Sequence, residues 1–590
     1  MKILLITPPL LQPNTPYAAT PLLTAWLRAN GHAAVQADLS LDLLLRLFSK
    51  EGVRALCREL HDNQEAEGFL PAEEDYAETI DEVISFLQDQ NPDAGPVIAE
   101  RDWLPEGPNL FRAYEQEEAL GWNFRGLDPE DRARYLGSLY LDDLAEVATM
   151  ADPAFGFSRY AESIATSLPR FNEFQQSLEA EPTLFSRWLD ELTDIQIQKH
   201  APELVALTVP FPGSLFGALR IARRIRRTSP GVEILLGGGY VNTELRTLGD
   251  PAIFDYVDGI TLDSGMLPLL HWANREPLVR TFVREEGAVV FHDAQVPHIV
   301  QNELPAPVYD GLELDRYFGV FETLNPMTRL WSDGRWNKLM LAHGCCWSRC
   351  EFCDTSIDYI NRYDAADPKT VCDWMESVMQ ESQFNGFHFV DESLPYELLE
   401  GLCDEILARG LEVAWWGNIR FESRFPKSLI QKMAQAGCIA VTGGLETACD
   451  RTLKLMRKGI TVAGAATVLE NLAEAGILTH AYLMYGFPTQ TLQETVQALE
   501  FVRDLFDAGL LHSAFWHRFA LTAHSGVACN PEKFAVTLIE SPTGDFAHNE
   551  IPFQGNFDHD VNEVGEALRI ATYNYMHGMG FDLPISHWMD

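Results

Sequence analysis

The stretch HGCCWSRCEFCD, residues 343–354, places four cysteines within nine consecutive positions. Cys346, Cys350 and Cys353 follow one another at spacings of four and three residues, which allows a short loop to present three thiolates to one face of a cubane iron–sulfur cluster. Three protein ligands leave one iron with an open coordination position, as in metal sites that bind a substrate. The stretch therefore predicts a 4Fe-4S cluster.

A zinc site or a disulfide knot is the alternative explanation of these four cysteines. A zinc ribbon needs a second pair of cysteines or histidines at similar spacing. The remaining cysteines are scattered along the chain and form no such pair: Cys57, Cys372, Cys403, Cys438, Cys449 and Cys529. We therefore favour the iron–sulfur cluster.

The charge and the hydropathy of the chain exclude several classes of function. There are 86 acidic and 44 basic residues, a formal net charge of -42, whereas nucleic-acid binding depends on Lys and Arg that neutralise phosphates. No run of about 18 uncharged apolar residues is present, and the apolar stretch at residues 1–9 is too short for a signal peptide. The composition predicts a cytoplasmic protein that binds neither nucleic acid nor membrane.

Short apolar runs that alternate with helical segments predict two α/β domains with parallel sheets. The 590 residues are enough for roughly three to four domain-sized units. The predicted boundaries are 1–48 and 200–300 for the first α/β domain, 49–199 for a helical insertion, 301–334 for a linker, 335–520 for the second α/β domain, and 521–590 for a small helical C-terminal cap.

A run of three glycines follows a predicted strand of the first domain. Open α/β sheets bind ligands at the carboxyl ends of their strands, and glycine allows a ligand to approach the backbone closely. The glycines therefore predict a ligand site, with a plain tight turn as the alternative. The strands are predicted at 2–6, 33–37, 204–209, 233–236 and 254–257, and the glycines are Gly237, Gly238 and Gly239.

The predicted strands of the second domain each end in polar residues or glycine. Active sites of βα barrels gather at the carboxyl ends of the strands, and the cysteine stretch begins directly after the first of these strands. The pattern predicts a βα barrel with its site at that rim. The strands are predicted at 338–342, 388–390, 413–416, 440–442, 479–484 and 515–519.

The pattern Cys-x3-Cys-x2-Cys, with an aromatic residue before the last cysteine, resembles the signature of radical S-adenosylmethionine (SAM) enzymes. The resemblance covers about residues 335–520 and implies a partial (β/α)6 barrel in which the open iron binds SAM. Family members often carry Gly-Cys at the first ligand, so either Cys345 or Cys346 is the first ligand here. Residues 453–459, LKLMRKG, also match the family, and their pattern alone predicts a helix end capped by Gly459.

The resemblance also implies a set of residues around SAM. Asp391 and Glu392 stand where the family carries acceptors for the SAM amino group, and an ordinary acidic loop is the alternative. Arg420 pairs either with the SAM carboxylate or with Glu422 on the same loop. We select no catalytic residue from the sequence. The other positions implied to contact SAM are Phe352, Tyr359, Gly444 and Glu446.

The first domain resembles the Rossmann-like cobalamin-binding domain of cobalamin-dependent radical SAM enzymes. The resemblance implies cobalamin binding at Thr208, Val209 and the three glycines. No Asp-x-His-x-x-Gly follows the first strand, so no histidine is offered there as a lower cobalt ligand, and residues 262–265 read LDSG where many relatives have GEGE. The matching segments are LLITPP at 4–9, TVP at 208–210 and LLGGG at 235–239.

The two resemblances together imply a cobalamin-dependent radical SAM methyltransferase that acts on an unactivated carbon of a small molecule or peptide. A 5'-deoxyadenosyl radical would abstract a substrate hydrogen, cobalamin would deliver the methyl group, and a flavodoxin or ferredoxin would donate electrons. Three alternatives stay open: rearrangement, cyclisation or oxidation with the same cofactors; a radical SAM enzyme whose cobalamin domain is empty; and a non-catalytic cofactor-binding protein.

Overall fold

Two largely parallel sheets organise the chain. The computed structural model describes residues 1–63, 66, 68–120, 128–152, 170–321, 325–539 and 544–589. Within these residues the first large sheet has seven strands and the second has six. The strands are β1 Lys2–Thr7, β2 Ala33–Asp38, β3 Leu204–Thr208, β4 Glu233–Gly237, β5 Gly259–Thr261, β6 Thr281–Glu285, β7 Ala288–His292, β8 Asn337–Leu339, β9 Ala342–His343, β10 Asp364–Ala365, β11 Gly386–Leu394, β12 Ala414–Ile419, β13 Cys438–Glu446, β14 Leu478–Tyr485, β15 Ser513–Arg518, β16 Thr537–Leu538 and β17 Phe553–Gln554.

Helices cover both sheets and fill the insertion between β2 and β3. They are α1 Ala19–Ala29, α2 Leu39–Leu47, α3 Lys50–Glu59, α4 Glu73–Leu87, α5 Gly95–Ile98, α6 Pro108–Leu120, α7 Pro129–Ala151, α8 Phe171–Glu179, α9 Leu184–His200, α10 Leu215–Thr228, α11 Gly239–Glu244, α12 Met266–Asn274, α13 Pro326–Asp333, α14 Asp358–Asn361, α15 Pro368–Ser382, α16 Tyr396–Arg409, α17 Lys427–Gln435, α18 Asp450–Leu455, α19 Val462–Glu474, α20 Leu492–Asp507, α21 Gly526–Cys529, α22 Val561–Met576 and α23 Ser586–Met589.

The first sheet has the strand order β2-β1-β3-β4-β5-β6-β7, in which β1 to β5 pair in parallel. Leu4 and Ile6 are fully buried because helices cover both faces of a parallel sheet. The strand predicted at 254–257 is wrong. A 3₁₀ turn, Pro251–Asp255, occupies the first half of that segment, because Asp250 accepts a hydrogen bond from the Ala252 N–H at 2.9 Å and starts the turn.

Two antiparallel strands, β6 and β7, extend the first sheet beyond β5. The sequence analysis assigned no element to them. They form a hairpin whose turn is made by Glu286 and Gly287, both with positive φ, as two-residue hairpin turns require. The edge of the parallel sheet is therefore covered by a hairpin.

The second sheet has the strand order β15-β14-β13-β12-β11-β8, and all of its pairs are parallel. Strands β8 and β15 lie at its two edges. This arrangement confirms the predicted partial barrel of six strands. The first barrel strand is shorter than predicted, because the chain leaves β8 after Leu339 and then pairs β9 with β10.

Two segments lie outside the two sheets, the insertion and the C-terminal cap. The described part of the insertion, α3 to α9, is helical as predicted. The C-terminal cap is not entirely helical, because it also contains the antiparallel pair β16–β17. Phe546 from this cap is buried in the core of the first domain, 4.9 Å from the ring of Phe171. No helix in the described part of the chain has both the length and the apolar character that a membrane crossing requires.

Candidate active site

A cavity of about 660 Å³ lies between the carboxyl ends of the two parallel sheets. Its volume is within the range of small-molecule and cofactor sites, and the carboxyl edge of an open α/β sheet is where such folds bind ligands. The first sheet contributes Thr208 and the residues Gly237 to Gly239 to its wall, and the barrel contributes the opposite wall. The predicted ligand edges of both domains therefore face one shared space.

Alternate residues along two neighbouring segments form the barrel wall, because side chains along a strand alternate between its faces. One end of this wall lies at Gly344 and Glu392, next to the cysteine stretch, and the other end lies at Lys338 and His388. Six residues along a strand span roughly 20 Å, so the cavity extends well beyond the cysteines. The alternating wall residues are Lys338, Met340, Ala342, Gly344, His388, Val390 and Glu392, and His343 and Asp391 between them also line the cavity.

The four cysteines of the stretch, together called the cysteine loop (residues 345–353), lie between β9 and α14 as free thiols. The thiols interact in two pairs, and a hydrogen bond from Cys346 lowers the pKa of Cys345 to about 5. A hydrogen bond from Cys353 likewise lowers the pKa of Cys350, with help from the positive charges of Lys458 and Arg420. The same hydrogen bonds raise the pKa of Cys346 and of Cys353, so deprotonation is favoured at one thiol of each pair.

The donor set of the cysteine loop suits a cluster better than a single metal ion. In the described residues, no three His, Cys, Asp or Glu side chains are arranged to hold one metal ion, and no cysteine forms a disulfide. A closed zinc site would need four ligands around one point, whereas the thiolates of a cubane cluster are distributed over its irons. The residues fit a 4Fe-4S cluster, and both Cys345 and Cys346 stay available as the first ligand.

The segment Met456–Gly459 packs against the cysteine loop at every residue. The Met456 carbonyl accepts a hydrogen bond from the Glu351 N–H at 2.9 Å, and the Arg457 carbonyl accepts one from Trp347 Nε1 at 2.9 Å. Gly459 has φ +78°, and a Cβ there would lie 2.2 Å from the Trp347 ring. The sequence analysis assigned this segment only a helix end, although its match to the family was the signal for a role at the site.

Lys458, the third residue of this segment, forms a buried ion pair with Glu446 at the end of β13. Lys458 Nζ lies 2.6 Å from Glu446 Oε1, and the two side chains are only 10% and 9% exposed. A Cβ on Gly444 would lie 2.2 Å from Glu446 Oε1 and 2.5 Å from Lys458 Nζ. The residues GGLE at 443–446, which lie beyond the strand predicted at 440–442, thus belong to β13, and Gly444 makes room for an ion pair.

Arg420 also lies on this side of the cysteine loop. Its Nη2 donates a hydrogen bond to the Lys458 carbonyl, and its guanidinium lies 4.4 Å from the centre of the Trp347 ring. Its Nε lies 3.7 Å from the Glu422 carboxylate, which is beyond hydrogen-bond distance. Of the two predicted partners of Arg420, Glu422 is therefore near, and the guanidinium is mainly used to hold the loop.

The predicted acceptors for the SAM amino group, Asp391 and Glu392, lie within β11 and have different surroundings. Both carboxylate oxygens of Asp391 accept backbone hydrogen bonds, from Leu341 at 3.0 Å and from Ala342 at 2.6 Å. Glu392 instead projects into the cavity and makes no hydrogen bond or ion pair to any residue that the structure describes. Partial desolvation in the cavity raises the pKa of Glu392, and the nearby Cys345 adds to this shift.

The two predicted aromatic residues lie on opposite sides of the cysteine loop. Tyr359 lines the cavity and packs edge-on against His343 at 5.2 Å. The Phe352 ring lies 5.8 Å from Lys458 Nζ, on the side of the ion pair. The structure therefore divides the predicted SAM residues into two groups. Tyr359, Asp391 and Glu392 line the cavity. The other four lie around Lys458, next to the cysteine loop: Phe352, Arg420, Gly444 and Glu446.

The predicted cobalamin residues of the first domain divide in a similar way. Thr208 and the three glycines line the cavity, but Val209 is fully buried beneath it. Gly238 has φ +118°, and a Cβ there would lie 2.5 Å from the Val209 carbonyl oxygen. Val209 therefore acts through packing of its backbone. The two histidines that line the cavity belong to the barrel wall, so the lining of the first domain contributes no imidazole.

The barrel sequence matches a known family. A model of the radical SAM superfamily matches residues 341–502, which include the cysteine loop and the segment Met456–Gly459. Residues 341–502 therefore form a radical SAM domain. This assignment agrees with the resemblance of the cysteine pattern.

Curated relatives of this chain include two enzymes of different reaction class. The chain is 23% identical over 324 residues to an uncharacterized methyltransferase of Pyrococcus horikoshii, covering 52% of this chain and 66% of the relative. It is 30% identical over 332 residues to an anaerobic magnesium-protoporphyrin IX monomethyl ester cyclase of Cereibacter sphaeroides, covering 52% of each. The matched region thus spans about half to two thirds of these relatives.

Solved structures extend the likeness to nearly the whole fold. The radical SAM methyltransferase TsrM of Kitasatospora setae, with tryptophan and the SAM analogue aza-SAM bound, aligns at a TM-score of 0.55 and 14% identity over 97% of this chain and 89% of TsrM. TsrM with cobalamin and a [4Fe-4S] cluster bound aligns at a TM-score of 0.53 and 13% identity over 98% and 89%. At this identity the likeness establishes a shared fold.

Proposed function

We propose that this radical SAM protein is a cobalamin-dependent methyltransferase that acts on an unactivated carbon of a small molecule or peptide. The observation that carries the proposal is the shared cavity, which extends from Gly344, the residue before the cysteine loop, to the glycine edge of the first sheet. A methyltransferase among the relatives and the fold of TsrM support it. The substrate, the electron donor and the reaction outcome are parts of this proposal.

The cavity-facing residues have separate roles in this proposal. Cys350, Cys353 and one of the adjacent pair Cys345 and Cys346 hold the cluster, and Glu392 accepts hydrogen bonds from the SAM amino group. Thr208 and the glycines after β4 bind cobalamin through their backbone. When bound, the cluster and SAM supply one-electron chemistry and cobalamin supplies methyl transfer, as cofactors carry the difficult chemistry and the protein orients them.

The chain itself orients the ligands and excludes water. Because the cavity lies between two domains, ligands held there are shielded from solvent, which strengthens the electrostatic contacts made by Glu392. Lys338, at the end away from the cysteine loop, lines the cavity and has a pKa lowered to about 8 by burial. Its ammonium favours a substrate with an anionic group, since a cavity cation gains most from an opposite charge.

A second candidate function is an oxidation or cyclisation with the same cofactors. The observation that favours it is the 30% identity to an anaerobic cyclase. The two functions differ in the fate of the SAM methyl group, which is transferred only in the first. Both need the cluster, so the cluster alone does not separate them.

An anaerobic assay with methyl-labelled SAM separates these functions before the substrate is identified. The full chain is reconstituted with iron, sulfide and hydroxocobalamin, reduced with dithionite, and analysed for label on bound cobalamin and for 5'-deoxyadenosine. We expect labelled cobalamin in the wild type, and we expect no 5'-deoxyadenosine in a Cys350→Ala control. Deoxyadenosine without label on cobalamin would favour cyclisation or oxidation, and neither product would overturn both functions.

A further inference from the structure

Two cations and two anions are buried next to the cysteine loop, and none of the four lines the cavity. Arg420 is 5% exposed and Lys458 is 8% exposed, and each lies close to an acid, Glu422 and Glu446 respectively. Charges are rarely buried to this extent without a partner. The four charges nearly cancel one another, and they lie close enough to the thiol of Cys350 to affect it electrostatically.

We propose that the Lys458–Glu446 ion pair sets the reduction potential of the cluster, with Lys458 favouring and Glu446 opposing the reduced form. This role rests on the proposed 4Fe-4S cluster and extends it to two residues that are not ligands of the cluster. Lys458 and Glu446 are positioning residues in this sense, because they act on the cluster through their charges.

The geometry places both charges within electrostatic range of the cluster ligands. Lys458 Nζ lies 5.8 Å from the centre of the Phe352 ring, and Phe352 stands between Cys350 and Cys353 in the loop. Glu446 has φ +62°, an uncommon conformation for this residue, which its pairing with Lys458 accompanies. Gly444 leaves just the space that the two charged ends occupy. The surrounding backbone is therefore shaped around this pair.

The sign of each charge fixes the direction of its effect. Reduction adds one electron from an external donor to the cluster, so a nearby cation stabilises the reduced form and a nearby anion destabilises it. Because the pair is buried, each charge is weakly screened. Lys458→Met leaves Glu446 unopposed and shifts the potential to more negative values. Glu446→Gln leaves Lys458 unopposed and shifts it to more positive values.

The test is a redox titration of the cluster in the full chain, reconstituted anaerobically and followed by electron paramagnetic resonance. We expect the equilibrium constant for reduction to change by about tenfold in opposite directions for the two single variants, equivalent to about 59 mV for a one-electron couple. The double variant Lys458→Met/Glu446→Gln is expected close to the wild type. Lys458→Arg keeps the charge and is expected to shift the potential least of the Lys458 variants.

A surface ion pair of the same barrel provides the matched control. Lys427 pairs with Glu474, but both side chains are more than half exposed, so Lys427→Met should leave the potential unchanged because exposed charges are screened. A purely structural role of the buried pair predicts shifts of the same sign, or none, in both single variants, and either result overturns the proposal. If Lys458→Met fails to retain iron, Glu446→Gln decides alone, and the absence of a positive shift overturns it. A wild type without iron and sulfide instead refutes the proposed cluster.

Discussion

The two sides of the cysteine loop differ in how completely their charged groups are paired. On the cavity side, Glu392 makes no ion pair or hydrogen bond within the described chain. On the opposite side, Lys458 pairs with Glu446 at 2.6 Å, and Arg420 donates to the Lys458 carbonyl. An ion pair and a hydrogen bond therefore hold the loop on the side of Lys458, whereas Glu392 on the cavity side has no partner within the described chain. This arrangement is expected when a ligand supplies the partner of Glu392.

The energetic reason for this difference lies in desolvation. An unpaired polar group that is removed from water loses about 1–3 kcal/mol or more, so the packed side retains only charges that have partners. Glu392 keeps contact with the cavity and can exchange its solvent for a ligand. The comparison thus predicts that changes on the cavity side affect binding, whereas changes on the packed side affect the cluster and its stability.

The largest expected effect comes from removing one of the thiolates of the cysteine loop that bind the proposed cluster. Cys350→Ala and Cys353→Ala should each abolish stable cluster binding, because two remaining ligands do not hold a cubane. Iron and acid-labile sulfide per chain measure the loss. Cys529→Ala, an exposed cysteine in the short helix α21, serves as the control and should retain full iron. Full iron content in both loop variants would refute the assigned ligands.

The adjacent pair of cysteines gives a smaller and more specific result. Only one of Cys345→Ala and Cys346→Ala should lose the cluster, because a single residue completes the set of three ligands. The same iron and sulfide measurement identifies it. Equal loss in both variants would show that the loop needs both thiols, against the assignment of one open iron.

A cavity-side change should affect SAM binding and spare the cluster. Glu392→Gln removes a charged hydrogen-bond acceptor, worth about 1.5–3 kcal/mol, so the SAM dissociation constant should rise roughly 10- to 100-fold. Equilibrium dialysis with labelled SAM on the reconstituted protein measures it. Glu397 is an exposed acid at the start of α16, and Glu397→Gln should change neither the SAM dissociation constant nor the iron content. An unchanged SAM affinity in Glu392→Gln would show that Glu392 does not belong to the SAM site.

Gly459→Ala should weaken the packing of the segment Met456–Gly459 against the cysteine loop. The new Cβ meets the Trp347 ring and the residue keeps φ +78°, so we expect a loss of about 1–3 kcal/mol and faster release of iron to a chelator. Gly476→Ala is the matched control, because it has φ +74° but no atom within 4 Å of its Cβ position. Equal effects of the two variants would show that backbone strain, and not the contact with Trp347, is responsible.

The smallest effect is a pH dependence from Asp391. Burial raises the pKa of Asp391 to about 7, above the value near 4 of an unfolded chain. The folded state therefore binds the proton more tightly, so the stability linked to Asp391 is present below pH 4 and is lost as the pH rises towards 7. The difference in melting temperature between the wild type and Asp391→Asn should fall over this range. A constant difference would contradict the shifted pKa.

Local sequence patterns were sufficient for the main elements and for the cysteine loop. The three-residue and four-residue spacing lies within one loop, and the strands of the barrel are long enough for their apolar runs to be recognised. The run at 254–257 was misassigned because a short segment with three apolar residues in four is compatible with either a buried strand or a helical turn. Here the turn forms because the Asp250 side chain caps it and Pro251 is its first residue.

The packed side of the loop was not predictable from local patterns. Glu446 and Lys458 are separated by α18, and their pairing depends on how this helix returns the chain to the end of β13. Arg420 was assigned two possible partners from its own loop or from SAM, but the Lys458 carbonyl, 38 residues away, accepts its hydrogen bond. Long-range contacts of this kind leave no periodic signal in the sequence.

Mössbauer spectroscopy of the protein reconstituted with ⁵⁷Fe, with and without SAM, tests most directly that the loop holds a cubane with one open iron facing the cavity. The account predicts a 4Fe-4S spectrum in which SAM changes the signal of one iron in four and leaves the other three unchanged. A spectrum without a 4Fe-4S cluster, or one that SAM leaves unchanged, would contradict it.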